Sequence, residues 1–354
     1  MQENRREAIL RERRRRKRIF RIKQVCFFTV LGVLACLLVI GLFRLLSIPF
    51  RGNGQQEVNL IQKSMDEKRR PEEPEEVVPE SVTISLVAFG DNLIHNTIYE
   101  YAWQEDGTYD FSEIYTDLRE EIRTADLACI QQETILVSDP SMYSNYPEFG
   151  TPADMADTLA ALGFDVICHA SNHTYDKGMT GISDTLEKWK QYPEMAVLGI
   201  HASREDADRI TVVEREGIRL ALLDYTYGLN GTYPDDDYTI DFATLDNRER
   251  IAAQIAEGRE KADLVIVFLH MGDEDDMTPG EEQKEWVQFL ADAGAGLVIG
   301  TSSHTIQPMD VVTGKDGNQM PVFYCLGNFV SSQRENINLI GAMAKAEITQ
   351  DSQG

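Results

Sequence analysis

From residue 82 onward, short apolar runs alternate with amphipathic ones, and the apolar runs end abruptly in polar, chemically active residues. Residues 82–88 lead into Gly90-Asp91-Asn92-Leu93-Ile94-His95, and 126–130 into Gln131-Gln132-Glu133-Thr134. Residues 164–167 lead into His169-Ala170-Ser171-Asn172-His173-Thr174-Tyr175-Asp176-Lys177-Gly178. Residues 263–269 lead into His270-Met271-Gly272-Asp273-Glu274, and 296–299 into Gly300-Thr301-Ser302-Ser303-His304. Apolar runs bounded this way read as buried strands.

The amphipathic stretches between them predict helices. Residues 111–124 put Ile114, Leu118 and Ile122 on one face. Thr151-Pro152 is expected to open a second helix that reaches Leu162 and stops at Gly163, with Thr151 as cap and Pro152 in the first turn. Residues 179–191, 246–262 and 280–293 predict three more. A hairpin is expected from 210–214 and 217–225 around Glu216-Gly217, and late strands at 321–326 and 342–348. The segment 230–241, rich in Gly, Tyr and Asp, reads as a loop beside the strand ends. This mixture of βα units with a hairpin predicts an α/β (α+β mixed) domain of mixed sheets covered by helices.

The first 80 residues have a different pattern. Residues 1–23 carry eleven Lys/Arg against three Glu and read as a basic cytoplasmic tail. An uncharged apolar run follows at 25–43; as a helix it spans roughly 28 Å, close to a bilayer's hydrocarbon thickness. Residues 24–48 are therefore expected to form a single transmembrane helix. The basic flank puts the N-terminus inside and the rest of the chain outside the cell membrane. A cleaved signal peptide is the rival reading, but its apolar region is usually shorter. Val33-Leu34-Ala35-Cys36 loosely resembles a lipoprotein cleavage box; because the apolar run continues past it, Cys36 reads as a membrane cysteine. Residues 49–80, with Pro71-Glu72-Glu73-Pro74-Glu75-Glu76, cannot bury a core and read as a disordered charged stalk. Residues 81–354 remain for one domain, which the late strands leave room to regard as a fragment of something longer.

Charge narrows the partners. The formal net charge is −25, and setting aside the tail's +8 with Arg44 and Arg51 leaves −35 outside the membrane. Such a surface repels nucleic acid and anionic lipid. The five cysteines show no paired spacing, and Cys129, Cys168 and Cys325 fall in expected core strands, which argues against a disulfide framework.

In open α/β sheets, ligands bind at the carboxyl ends of strands. Five segments thus deliver Asp91, Glu133, Asn172, His173, His270 and His304 to one rim, and these are ligand types for a divalent ion of the zinc, manganese or iron kind. Each has a bland alternative. Gly90-Asp91 alone is a common turn. His95, four residues on, reaches the same site if its segment curls into a helical turn, and is otherwise a partly buried loop histidine. Glu133 could be a solvated charge, or a ligand bridging two ions. Asn172-His173 is the most specific pair: His173 has the chemistry of a general acid, and Asp176 is placed to orient its ring. The alternative there is a plain turn built on Asn172. His169 reads as structural, and His201 has no motif around it. Five of the six histidines nonetheless fall at or just past strand ends.

The ordered set is more telling than any member. Gly-Asp-x-x-x-His, a strand-end Glu, Asn-His-x-x-Asp-x-Gly, His-x-Gly, Gly-x-x-x-His with Gln307-Pro308, and Leu326-Gly327-Asn328-Phe329 together resemble the bacterial CapA family of capsule (poly-γ-glutamate) synthesis proteins. The resemblance covers roughly residues 82–348. It implies a relative of the calcineurin-like metallophosphoesterases: a four-layer αββα sandwich behind a membrane anchor, working outside the cell. It implies one or two divalent ions (Mn, Zn or Fe). Asp91, Glu133 and His304 would hold one, and Glu133, Asn172 and His270 a second. His173 would be the proton donor and His95 a further ligand or a support for one. The family pattern Gly-x-His-Pro-His becomes Gly300-Thr301-Ser302-Ser303-His304 here, so Ser302 stands where a ligand of the second ion is expected, and the second site is in doubt. The resemblance implies a role in making, anchoring or exporting an envelope polymer with a synthase complex. The protein would be a metal-dependent hydrolase if active. The alternatives are a non-catalytic accessory subunit, or a phosphatase or phosphodiesterase on envelope phosphate esters.

Overall fold

The computed structural model describes residues 81–351. The basic tail, apolar span and stalk lie outside the described residues, as do Cys26 and Cys36; among the described residues no helix is long and apolar enough to cross a membrane.

Fourteen strands are seen among the described residues: β1 (Val82–Asn92), β2 (Leu127–Gln131), β3 (Leu136–Val137), β4 (Thr151–Pro152), β5 (Val166–Cys168), β6 (Ala196–Leu198), β7 (Thr211–Arg215), β8 (Ile218–Thr226), β9 (Leu264–His270), β10 (Leu297–Thr301), β11 (Met309–Thr313), β12 (Gln319–Phe323), β13 (Asn328–Val330) and β14 (Met343–Gln350). The α-helices are α1 (Asn96–Ala102), α2 (Arg119–Thr124), α3 (Asp154–Leu162), α4 (Gly178–Trp189), α5 (Arg204–Ala207), α6 (Arg248–Lys261) and α7 (Glu281–Ala293). One six-stranded sheet runs β13-β1-β2-β5-β6, with β14 antiparallel to β1; the other runs β11-β12-β10-β9-β8-β7.

The two-residue period of a strand sorts its side chains into two layers. On β1, Leu86 and Ala88 join Ile266 and Phe268 of β9 in a core between the sheets. Their neighbours Val87 and Phe89 turn outward to Met155 and Leu159 of α3. On β9, Val265, Val267 and Leu269 turn the other way, onto Ile251 and Ile255 of α6 and Trp286 and Leu290 of α7. Two sheets thus lie face to face with helices on both outer faces, which is why the central strands β2, β5, β9 and β10 are nearly continuous apolar runs.

Several elements follow the sequence closely. The β7–β8 hairpin turns through Glu216 and Gly217, both at positive φ (50° and 87°). α3 ends at Gly163 in the left-handed region (φ 95°), a glycine-favouring C-cap. Others do not. Thr151-Pro152 does not open a helix. It pairs in parallel with Leu136–Val137, and the helix begins at Asp154. The Thr151 hydroxyl is taken up by Thr134 Oγ1 at 2.8 Å and its N–H by the Ile135 carbonyl, so it has no part in capping. The expected helix at 111–124 is a 3₁₀ segment over Ser112–Leu118 before α2 takes over. The strand expected at 321–326 lies at Gln319–Phe323, paired with β11, whose largely exposed face gave no apolar signal.

Gly90 is needed for a different reason than a turn. The β1–β2 register slips between Phe89 and Asp91, and a Cβ on Gly90 would lie 1.9 Å from the Gly327 carbonyl oxygen. That close approach lets the Asp91 N–H bond Gly327 O at 3.0 Å and locks the carboxylate's position. Gly90→Ala is expected to cost about 3 kcal/mol or more by overpacking, checked by chemical denaturation.

Candidate metal centre

The parallel strands of both sheets bring their carboxyl ends to one rim. Asp91 closes β1, Glu133 follows β2, and His304 follows β10 on a loop in which Ser302 and His304 both take positive φ (99° and 58°). Non-glycine residues held there are uncommon, and they cluster at functional sites. His304 Nδ1 lies 3.3 Å from Asp91 Oδ2 and 3.0 Å from Asn328 Oδ1; its Nε2 is 3.7 Å from Glu133 Oε1. One ligand atom from each of Asp91, Glu133 and His304 falls within 4.8 Å of the others.

This trio suits a cation. Asp91 and Glu133 are wholly buried, and Asp91 Oδ1 with both Glu133 oxygens has no hydrogen-bond partner. Buried carboxylate oxygens left unpaired are costly, and a divalent ion is the partner that satisfies several at once. In the metal-free protein the strain shows in the protonation equilibria. Burial, with Asp91 adding to it, pushes Glu133 up to about 8 against the pull of His304. Burial opposes charge on His304 too, but the Glu133 and Asp91 carboxylates outweigh it and raise the imidazole to about 10.

The structure brings the other expected residues close, with distinctions. His270, fully buried at the end of β9, sits with Nδ1 3.6 Å from Asp91 Oδ1 and 2.9 Å from Thr301 Oγ1. Its Nε2 is 3.0 Å from Asn172 Oδ1, so the two residues proposed for a second ion hold each other. Burial drives the His270 imidazole down to about 3, which keeps it neutral. Ser302 gives its backbone N–H to Asp91 Oδ2 at 3.2 Å, while its hydroxyl donates to the Gly272 carbonyl.

His173 is held in a fixed frame of contacts. Its Nδ1 is 2.7 Å from Asp176 Oδ2, and Asp176 is itself fixed by the Phe149 N–H at the same distance. The ring lies edge-on to Phe149 with centroids 4.7 Å apart, and Asn230 Nδ2 reaches its Nε2 at 3.3 Å. Burial works against its charge, but the Asp176 hydrogen bond and the Glu133 and Asp176 charges prevail and raise its pKa. His95 stands apart. The chain makes no helical turn between Asp91 and His95; His95 precedes α1, with Nδ1 by Leu93 O and the Ser332 N–H and its ring against Phe149. Among the described residues no hydrogen bond or ion pair joins it to Asp91, Glu133 or His304. His95→Ala is accordingly expected to change metal affinity less than about tenfold, the low end for a supporting group, as read by metal titration.

His169 is structural: Trp189 Nε1 donates to its Nε2 at 2.8 Å. Cys129, Cys168 and Cys325 are buried free thiols. The sequence reading assigned no role to Asn328, which orients His304 and is itself held by Gln333 and the Asn338 carbonyl. It also passed over Tyr227, whose ring lies nearly parallel to His270. The Leu326-Gly327-Asn328-Phe329 motif was the available signal for the first; for Tyr227 there was only its place after β8.

A two-sheet α/β domain with carboxylates and histidines converging at its strand ends matches, over residues 85–333, the family described as bacterial capsule synthesis protein PGA_cap. The chain belongs to that family. It is similar to the PGA biosynthesis protein CapA of Bacillus subtilis (strain 168), with 29% identity over 184 residues, 52% of this chain and 47% of that protein. It is also similar to the capsule biosynthesis protein CapA of Bacillus anthracis, with 30% identity over 210 residues, 57% and 49% respectively. The chain spans about half the length of the curated relatives it matches. Among solved structures, the NAD nucleotidase NadN of Haemophilus influenzae gives a TM-score of 0.47 at 12% identity, covering 78% of this chain and 48% of that one.

Proposed function

We propose that this protein is a membrane-anchored, extracytoplasmic accessory protein of envelope polymer synthesis, with a divalent-metal site of the phosphoesterase kind. The polymer class follows from the family: a capsule chain such as γ-linked polyglutamate, made or exported with a synthase complex. The anchor would be the helix expected at 24–48, built on the apolar run at 25–43 behind its basic tail. The observation that carries the enzymatic part is the cluster of unpaired buried oxygens on Asp91 and Glu133 facing His304.

Asp91, Glu133 and His304 would hold the ion, of manganese, zinc or iron. When bound, it supplies Lewis acidity toward an electron-rich oxygen of a phosphoryl or similar group. The rest falls to the chain. Asp176 holds the His173 ring by Nδ1, which leaves Nε2 to carry the proton for a leaving group. Asn230 meets that same nitrogen: Nδ2 donates to it when it is bare, and the amide must turn its Oδ1 to the ring when Nε2 carries the proton. Asn328 keeps Nδ1 of His304 engaged so that Nε2 faces Glu133. The test is metal analysis of the purified protein together with turnover of aryl phosphate mono- and diesters. Bound metal with turnover supports the reading, and a protein free of both defeats the enzymatic part.

A second reading, a non-catalytic subunit that keeps the site's outline, is favoured by one observation. His270 and Asn172 are hydrogen-bonded to each other, and Ser302 offers only a hydroxyl where the family places a histidine. The two readings part on stoichiometry. Ser302→His is expected to raise bound metal from about one ion per chain toward two and to tighten the second at least about tenfold, in line with gaining an imidazole ligand. Isothermal titration with Mn²⁺ reads this, and unchanged stoichiometry removes Ser302 from the account.

A further inference from the structure

Beside the centre lies a cavity of about 290 Å³, walled by Tyr227, Gly272, Asp273, Glu274, Glu282 and Gln283. It adjoins the loop that carries His304. The Glu274 charge is felt by both Glu133 and His304, and Ser302 Oγ bonds the carbonyl of Gly272 in the cavity wall.

The wall contains an acceptor with nothing to accept. Gln283 is 3% exposed, and its Nε2 donates to Gln307 Oε1 and to the Tyr324 carbonyl, each at 2.9 Å. A main-chain carbonyl can only accept, so this side of the amide must be nitrogen, and the orientation is chemically fixed. Its Oε1 is therefore forced to the other side. There it has no partner and lies 3.3 Å from where a Cβ on Gly272 would stand. Gly272, at φ 151° and with no side chain, sets only backbone against that oxygen, which is itself shut off from solvent.

The charge around it has one sign. Asp273, Glu274 and Glu282 line the cavity with Glu281, which is paired to Lys284 at 2.8 Å. The N-terminus of α7 opposes them, but a helix end is worth only about half a positive charge. Three unpaired carboxylates outweigh it. A buried neutral acceptor behind carboxylates is a receptor for a compact group with several N–H donors and a positive charge.

We infer that this cavity binds a primary ammonium group of the substrate, on Gln283 Oε1 and the Glu274 carboxylate, while the attached ester group lies at the metal centre. The inference rests on the phosphoesterase-type reading given above, and it narrows the substrate to an amine-bearing one.

The test compares two phosphate monoesters that differ only in the ammonium. O-Phosphoethanolamine and ethyl phosphate are titrated calorimetrically into the Mn²⁺-loaded full-length protein, and ethanolamine alone is followed by saturation-transfer NMR. Phosphoethanolamine is expected to bind at least about tenfold tighter, as a charge-assisted hydrogen bond allows. In Glu274→Gln the ratio between the two esters should fall toward one, and the ethanolamine signal should be lost. Equal binding of the esters, with no transfer to ethanolamine, overturns the ammonium subsite and leaves the metal-site reading standing. Ethanolamine binding that depends on Glu274, without binding of either ester, supports the subsite and overturns the phosphoester reading. Failure of all three probes overturns both.

Discussion

Asp91→Ala is expected to weaken metal binding by about 100-fold or more, since loss of even a supporting partner of a ligand costs 10–100-fold. Asp91 serves at several points: Oδ2 takes the Ser302 N–H and faces His304, and Oδ1 has no partner except what the centre supplies. Elemental analysis after dialysis gives the answer, and an undiminished metal content would remove Asp91 from the centre. The wild-type protein offers a companion measurement. Without metal, Glu133 and His304 hold their protons more tightly folded than unfolded, at about 8 and about 10. A raised folded pKa means stability that is full below the unfolded value and lost as pH rises through the folded one. His169 and His270, both lowered to about 3, act the other way, but only below their ordinary value of 6.5. Between about pH 7 and 10, then, the chelated protein should lose stability as pH rises, and the metal-loaded protein should lose clearly less. Melting temperatures with and without EDTA across that window measure the difference. Parallel curves would mean that the carboxylates do not meet a cation there.

The strand ends were readable because burial on both faces leaves an unbroken apolar run, and its end is where polar residues can first reach a rim. That put Asp91, Glu133, Asn172, His173, His270 and His304 at or just past strand ends, where the structure has them. What pattern could not convey was how the neighbours are used. Thr151-Pro152 has the residue types of a helix start, but Thr151 is spent on a buried bond to Thr134, a partner set by tertiary contact. Gly90 looked like a turn residue, and it is instead a place where the Gly327 backbone, more than 200 positions away, fills the space of a side chain. His95 was put near Asp91 on the strength of a four-residue spacing that holds only in a helix, and the chain is not yet helical there. Tyr227 and Gln283 gave no sign in sequence because their roles come from a ring orientation and an unpaired oxygen.

His173→Ala should lower turnover of an aryl phosphate ester by about 10²–10⁴-fold, the usual worth of a positioned general acid, while bound metal stays the same. The two readouts separate the imidazole's role from that of its neighbour Asn172. Among the described residues, the ring's recorded partners are Asp176, Asn230 and the Phe149 edge, and no carboxylate of the trio is hydrogen-bonded to it. Against the effect of burial, the Asp176 hydrogen bond and the Glu133 and Asp176 charges raise its pKa, which favours the acid form, and activity should fall on the alkaline side as the ring loses its proton. Asp176→Asn removes the hydrogen bond and charge that raise it. That alkaline limb should then move to lower pH, and the loss of turnover should be smaller than in the alanine variant because the ring itself remains. A merely structural Asp176 would lower activity at every pH without moving the limb. Full turnover in His173→Ala would end the proton-donor assignment. Equal loss of metal and activity would mean that the histidine acts through the centre instead of beside it.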